Sequence, residues 1–203
     1  MYELSLNVMD IAQNSIRAGA KLVTVRVSAS AAKDSLEIVI EDDGSGMSEE
    51  TRLAVTDPFF TTRTTRKVGL GLPYYEMVAK MCGGGFSLWS EPGAGTRVTA
   101  SFQLSHIDRA PLGNMGQTVA YLAGANPDVD FVYALSCDGG AESPEGPECD
   151  GGAESPGVNT FTFDTREVKA LLDGVGIDTP EVIVYIEGYV NENSQKITGG
   201  ISL

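Results

Sequence analysis

Two neighbouring runs of alternating, β-branched residues constrain the fold of this 203-residue chain more than any other feature. They are KLVTVRVSA, from Lys21 to Ala29, and SLEIVIED, from Ser35 to Asp42. Alternation with a period of two is typical of half-buried strands, and only a short polar segment separates the two runs. The sequence therefore predicts a pair of strands, the second of which ends on two adjacent aspartates.

The end of the second strand reads DDGSG, which gives Asp42, Gly44 and Gly46 a D-x-G-x-G spacing. Such a stretch is compatible with a hairpin-type turn, with a calcium loop, or with the base of a nucleotide pocket in which a carboxylate contacts a purine. A helix–loop–helix calcium site needs further acids at alternate positions and a closing glutamate, and the following SGMSEETRL does not supply that spacing. A simple turn stays open as an alternative, although a turn does not require two adjacent aspartates.

The other periodic segments place helices and a second strand pair around these strands. Helices are predicted from Glu3 to Ala18, from the capping serine Ser48, and from Pro73 to Cys82. FSLWSE and TRVTASFQL lie on either side of a Pro-Gly turn and are predicted to be strands. The order of one helix, two strands, two helices and two strands indicates an α+β fold with a mixed or antiparallel sheet covered by helices.

The chain changes character near residue 106. Residues 1–105 carry 10 lysines and arginines against 12 acidic residues, whereas residues 106–203 carry 4 against 16. So acidic a surface repels phosphate backbones, which disfavours nucleic acid as a partner of the second half. Strands are predicted in VDFVYALS and VNTFTFDT, and helices in PLGNMGQTVAYLAGA, DTREVKALLDGV and TPEVIVYIEGYV. We expect a domain over residues 1–105 and a small acidic α/β module over residues 106–203.

The one internal repeat lies in the second half, where CDGGAESP occurs at residues 137–144 and again at 149–156. The repeats and their spacer contain no aliphatic residue larger than alanine, so they cannot bury enough surface to offset the entropy of ordering. We expect a disordered acidic loop at about residues 137–157. The two Cys-Asp pairs could bind a metal ion, but a duplicated loop is the plainer interpretation.

The first predicted helix carries Asp10, Asn14 and Arg17 at positions i, i+4 and i+7, which lie on one helical face. A solvated polar stripe explains this pattern. The functional alternative is a face that presents an amide and a carboxylate oxygen to a magnesium ion and a guanidinium to phosphate.

A third segment, DPFFTTRTTRKVGLGLPYYEMV, joins paired aromatics to a basic stretch and then to GLGL, which opens a helix. Glycines before a helix N-terminus expose backbone amides to an anion, and the preceding basic stretch suits a lid over phosphates. A fourth segment, SEPGAGTRVTASF, is by itself an ordinary glycine-rich hairpin.

The order of these sequence motifs, hereafter called boxes, carries more weight than any one of them. An Asn-bearing helix followed by D-x-G-x-G, PFFTTR, GLGL and PGAGT resembles the histidine-kinase-like (GHKL) ATPase superfamily. The resemblance covers about residues 1–105 and is closest to the catalytic, ATP-binding domain of sensor kinases. It implies a two-layer α/β sandwich over that range, with ATP and Mg²⁺ as ligands.

The resemblance also implies a role for residues at both ends of the nucleotide. Asn14 would ligate the magnesium ion that bridges the ATP phosphates, and Arg17 would reach a phosphate. Asp42 would accept a hydrogen bond from the adenine amino group, while Gly44 and Gly46 would leave room for the base.

The remaining boxes would surround the phosphates and the far side of the base. Three basic residues would lie in the lid, the backbone of GLGL would hold the phosphates, and Thr96 would lie near the adenine end. The lid residues are Arg63, Arg66 and Lys67, and the GLGL residues are Gly69, Leu70, Gly71 and Leu72. Asp10 takes the place where hydrolytic branches carry a glutamate base, so the resemblance implies that it is the candidate base. Aspartate is one methylene shorter than that glutamate.

The single histidine, His106, lies just past the last strand of the first half and lacks the helix and following acid of a phosphoacceptor. The first helix begins within three residues of Met1, so we expect a stand-alone form without a phosphoacceptor domain. Two functions follow as hypotheses. One is a signal-transduction protein that binds Mg-ATP and phosphorylates or switches a separate partner, as a protein kinase or slow ATPase. The other is a nucleotide-dependent adaptor without phosphotransfer activity.

The rest of the composition limits the expected compartment and partners of the protein. No run approaches the roughly 18 apolar residues of a membrane span, and the N-terminus shows no secretory signal. The three cysteines, Cys82, Cys137 and Cys149, have no ligand spacing and suit reduced thiols. We expect a cytoplasmic protein without membrane or nucleic-acid partners, whose protein partner docks on the C-terminal module.

Overall fold

The computed structural model describes residues 3–55, 71–138, 158–199 and Leu203. Six strands form one mixed sheet in the order β3-β4-β2-β1-β5-β6. The strands are β1 Leu22–Ser30, β2 Ser35–Asp42, β3 Phe86–Glu91, β4 Gly95–Gln103, β5 Asp130–Asp138 and β6 Val158–Asp164. The helices are α1 Leu4–Arg17, α2 Glu49–Ala54, α3 Gly71–Met81, α4 Met115–Ala125, α5 Thr165–Leu171 and α6 Pro180–Thr198.

The alternation of buried and exposed residues along β1 gives the sheet one face that packs on the helical layer and one that is exposed. Val23, Val25 and Val27 are buried in the core shared with the helices, whereas Arg26 and Ser28 lie on the exposed face. β1 pairs antiparallel with β2, as predicted, and β2 pairs antiparallel with β4. The α+β class and the two-layer sandwich are confirmed.

The second half of the chain extends the same sheet. β5 pairs parallel with β1, with Val23 opposite Phe131, and β6 pairs antiparallel with β5. A single hydrophobic core runs from α1 and β1 through to α6. The division into domains at residues 105 and 106 stays a prediction. The predicted loop at residues 137–157 lies outside the described residues except for Cys137 and Asp138, which end β5.

Helix α4 begins at Met115, four residues later than the predicted segment. Asn114 caps it by accepting a hydrogen bond from the Gln117 amide at 2.8 Å. The glycines that weaken α4 as an isolated helix have a tertiary reason. A Cβ atom on Gly124 would lie 2.6 Å from Ile183 Cδ1, so glycine at this position lets Ile183 of α6 pack closely against α4.

Candidate nucleotide site

Three of the predicted boxes, the first helix, D-x-G-x-G and PGAGT, meet at one end of the sheet. Asp42, the last residue of β2, lies opposite Val23 of β1 on one side and Thr96 of β4 on the other. The loop after β2 is tied to the end of α1, because the amide of Ser45 donates to the Ala18 carbonyl at 2.9 Å. Residues more than 70 positions apart in sequence are thus brought into one site.

The carboxylate of Asp42 is held by two donors. Ser15 Oγ donates to Asp42 Oδ2 at 2.5 Å, and the amide of Gly44 donates to Oδ1 at 2.9 Å. An ionised carboxylate has about four lone-pair sites, so this arrangement fixes the group and leaves it able to accept another N–H. An amino group on a purine is a donor of the required kind.

The glycines of D-x-G-x-G lie close to other parts of the protein. A Cβ atom on Gly44 would lie 3.0 Å from Asp42 Oδ1 and 3.1 Å from the Ala18 carbonyl oxygen. Gly46 has a φ of 62°, and a Cβ atom there would collide with the backbone carbonyl of Glu91 at the end of β3. Both positions therefore allow the loop to approach neighbouring backbone closely, which is a reason beyond the predicted room for a base.

A hydroxyl network joins the β3–β4 hairpin to this loop. Ser90 Oγ donates to the carbonyl of Gly95 at 2.9 Å and accepts the amide of Met47 at 2.9 Å. Since a serine hydroxyl carries one proton, its contact with Thr96 Oγ1 at 3.0 Å makes Thr96 the donor. Thr96 is therefore fixed beside Asp42 with its hydroxyl proton already engaged.

The polar face of α1 is formed as the spacing predicts. Arg17 Nη1 donates to Asn14 Oδ1 at 3.1 Å, and both side chains lie on the same face as Asp10. The guanidinium thus lies beside the amide oxygen that is the candidate metal ligand. A phosphate bound next to Asn14 would meet this positive charge.

Asp10 lies against the first residue of α3. A Cβ atom on Gly71 would collide with Asp10 Oδ2, so a larger residue there would displace the Asp10 carboxylate. The carboxylate is thereby placed at the N-terminal end of a helix, where the backbone dipole favours negative charge. Leu72, the next residue, packs against the hydrophobic core.

The rest of the predicted lid and phosphate loop lies outside the described residues. This applies to Arg63, Arg66, Lys67, Gly69 and Leu70. Asp42, Gly44, Gly46 and Thr96 lie at this end of the sheet beside the C-terminal end of α1, which carries Asn14 and Arg17. Asp10 lies against Gly71, the residue before Leu72.

Two residues that sequence reasoning missed contribute to the site. Ser15 is 4% exposed, on the face of α1 that carries Ile11 and Ala12. A lone serine at a position that the helical period assigns to the core was the available signal. Asp43, the second aspartate of DDGSG, is exposed, but its Oδ1 accepts the amides of Lys21 and Leu22 at 2.7 and 2.9 Å.

Magnesium fits this donor set only together with phosphates. Within the described ranges, no three side chains of the histidine, cysteine, aspartate or glutamate type cluster closely enough to hold a metal ion. An ion here would take the amide oxygen of Asn14 and obtain most of its ligands from phosphates and water. Mg²⁺ keeps several waters and binds substrate phosphates in this way.

Comparison with known proteins identifies the family of residues 3–106. The family model described as histidine kinase-, DNA gyrase B-, and HSP90-like ATPase matches residues 3–106. The sensor protein kinase FleS of Pseudomonas aeruginosa is 38% identical over 105 residues, which are 52% of this chain and 25% of that protein. The sensor protein DegM of a Bacillus species is 30% identical over 97 residues, covering 48% of this chain and 26% of that protein.

The Sensor-like histidine kinase SenX3 of Mycolicibacterium smegmatis is 29% identical over 99 residues. This chain spans about a quarter of the length of these curated relatives. None of the helices in the described part of the chain has the length and apolar character that a membrane span requires. The chain belongs to the histidine kinase-, DNA gyrase B- and HSP90-like ATPase family.

Proposed function

We propose that this chain is an Mg-ATP-binding regulatory module of the sensor-kinase type, which phosphorylates or switches a separate partner protein. Family membership implies ATP binding. The observation that carries the proposal is the carboxylate of Asp42, fixed by Ser15 and Gly44 and still able to accept an adenine amino group.

The polar face of α1 suits the phosphate end of the nucleotide. Asn14 would hold a magnesium ion, which supplies charge neutralisation at the phosphates, and Arg17 would contact a phosphate oxygen. Asp10 of α1, which lies against the first residue of α3, would be the base that accepts a proton from a hydroxyl or water. The lid residues Arg63 and Lys67 would complete the site.

A separate partner is favoured by the surroundings of the single histidine. His106 lies in a turn after β4, and its Nδ1 accepts the amide of Asp108 at 3.2 Å. The named relatives are sensor kinases, so a role in signal transduction is part of the proposal. We place the protein in the cytoplasm and its partner on the acidic C-terminal half.

Purine discrimination tests the nucleotide site. We expect the protein to bind ATP about 10- to 150-fold more tightly than inosine triphosphate, which lacks the amino donor, because a hydrogen bond to a charged group contributes about 1.5–3 kcal/mol. Asp42→Asn should abolish this preference in calorimetric titrations. Glu37→Gln, on the exposed sheet face, is the matched control. Equal affinity of the wild type for both nucleotides would refute the assignment of Asp42.

Phosphotransfer is tested separately from binding. With γ-labelled ATP and candidate partner proteins, a kinase transfers label to the partner, and Asp10→Asn slows the transfer while retaining ATP affinity. If the partner binds only with nucleotide present and never acquires label, the alternative holds: a nucleotide-dependent adaptor without phosphotransfer.

A further inference from the structure

A groove separates α5 from α6 over the end of β6. It encloses a cavity of about 440 Å³ with an apolar lining that includes Phe163, Leu172, Val182, Tyr185 and Tyr189. This volume falls within the range of about 300–1,000 Å³ found for ligand sites. The groove belongs to residues 162–189, beyond the segment that matches the ATPase family.

Large apolar side chains remain exposed at this groove, hereafter the α5–α6 groove. Leu171 is 83% exposed, Tyr185 61% and Tyr189 41%. The two tyrosine rings stack with centroids 5.9 Å apart, and Tyr189 also contacts the rings of Phe161 and Phe163. A contiguous exposed aromatic surface of this kind is typical of an interaction site rather than of scattered surface residues.

The charge around the groove is one-sided. Asp164, Glu167 and Glu181 all border the cavity. Arg166 pairs with Asp164 at 2.6 Å, and Lys169 pairs with Asp130 at 2.6 Å. Among the residues that the structure describes, no ion pair joins a cation to Glu167 or Glu181.

The groove lies at the same end of the sheet as the nucleotide site. Asp42 pairs with Val23, Val23 pairs with Phe131, and the amide of Phe131 donates to Thr165 Oγ1 at the start of α5 at 2.8 Å. β2 and β6 are three strand spacings apart, which is about 14 Å. A molecule in the groove would therefore lie close to the nucleotide-binding end of the protein.

We propose that the α5–α6 groove docks a segment of the partner protein in which an arginine or lysine lies next to a large apolar side chain. The apolar side chain fills the cavity among Phe163, Val182 and Tyr189, and the cation meets Glu167 and Glu181 and the face of Tyr185. A second copy of this chain is disfavoured as occupant, because both surfaces would carry uncompensated acid. The identification of the occupant as the regulated partner rests on the proposed function.

The peptide preference can be measured without knowledge of the partner. The full-length protein is screened against acetylated, amidated nonapeptides in which one residue at a time is fixed and the others are randomised. We expect selection of arginine or lysine beside leucine, phenylalanine or tryptophan. The selected peptide is then titrated by fluorescence anisotropy at two salt concentrations.

Variants assign the binding to the groove. Glu167→Gln combined with Glu181→Gln should weaken binding of the selected peptide about 2- to 30-fold and reduce the salt dependence of that binding. Tyr185→Ala should weaken binding of the peptide about 10-fold or more, as loss of an aromatic anchor does. The exposed pair Glu37→Gln with Asp108→Asn removes the same charge elsewhere and should leave affinity unchanged.

Three results would overturn the proposal: no selection for a basic residue, unchanged affinity in the Glu167 and Glu181 double variant, or a dimer in sedimentation velocity that Tyr185→Glu dissociates. Asp42→Asn should bind the peptide like the wild type. Loss of nucleotide binding and loss of docking are therefore separable.

Discussion

Replacement of Ser15 by alanine removes the hydrogen bond that fixes the Asp42 carboxylate. Ser15 is 4% exposed, and its Oγ lies 2.5 Å from Asp42 Oδ2. A hydrogen bond to a charged group contributes about 1.5–3 kcal/mol, and the carboxylate oxygen left without its donor is partly buried. For a chain of this size, each kcal/mol corresponds to about 2–4 °C in the midpoint of thermal unfolding. We therefore expect Ser15→Ala to lower the midpoint by about 3–12 °C.

The same substitution should also weaken ATP binding. Without the Ser15 donor, the carboxylate keeps only the Gly44 amide and can rotate, so part of its orientation must be restored when adenine binds. A loss of about 1 kcal/mol corresponds to about a 5-fold higher Kd for ATP. Differential scanning fluorimetry and calorimetric titration measure the two effects independently.

Ser5→Ala is a matched control on the same helix. Ser5 is 2% exposed, and its Oγ donates to Glu3 Oε2 at 3.3 Å, so the substitution removes a similar hydroxyl far from Asp42. We expect a small loss of stability and unchanged ATP affinity. If Ser15→Ala instead unfolds at the wild-type temperature and binds ATP equally well, the hydrogen bond does not hold Asp42 in solution and the reasoning fails.

Three further substitutions test other parts of the structure. Gly46→Ala should lower the free energy of unfolding by more than about 1–2 kcal/mol, because it combines a left-handed backbone with a collision against Glu91. Urea unfolding measures this loss. Hydrogen bonds from Ser105, above all, hold the pKa of Asp34 below its ordinary value of 3.8, so the stability they confer is present above that pH and lost as the pH falls through the folded pKa. The difference in unfolding free energy between the wild type and Asp34→Asn should therefore shrink in acid, and a constant difference would contradict this. Ile186→Ala empties a fully buried position and should cost about 2–5 kcal/mol in one cooperative transition, whereas two transitions would show separate cores.

Local patterns predicted the elements better than their arrangement. The alternation of Lys21–Ala29 and Ser35–Asp42 is decided within each strand, and both strands form almost as predicted. The parallel pairing of β5 with β1 joins residues more than 100 positions apart, and no local period encodes which strands meet. The sequence therefore predicted the strands of the second half without indicating that β5 joins the sheet beside β1.

In the site, too, the sequence predicted individual residues better than the contacts between them. The positions of Asp42 and Thr96 follow from strand ends, so their proximity was predictable from the order of the boxes. The contact of Ser15 with Asp42 depends on the rotation of α1 over the sheet, which is set by the packing of its apolar face. Helix α6 continues to Thr198, beyond the predicted end, through polar residues that include the pair Lys196 and Glu192.

The hydrogen bonds of Asp43, the second aspartate of DDGSG, give this residue a structural role between the two proposed sites. Its carboxylate accepts the amide of Lys21, and the carbonyl of Lys21 accepts the amide of Asp130 at 2.8 Å. Asp130 in turn pairs with Lys169 of α5, which borders the α5–α6 groove. A series of hydrogen bonds across β1 and β5 therefore joins the loop that would contact the nucleotide to α5, whose residues Glu167 and Val168 line the groove. If a nucleotide bound at that loop changes the affinity of the groove for a segment, linkage requires the docked segment to change the affinity for the nucleotide by the same factor.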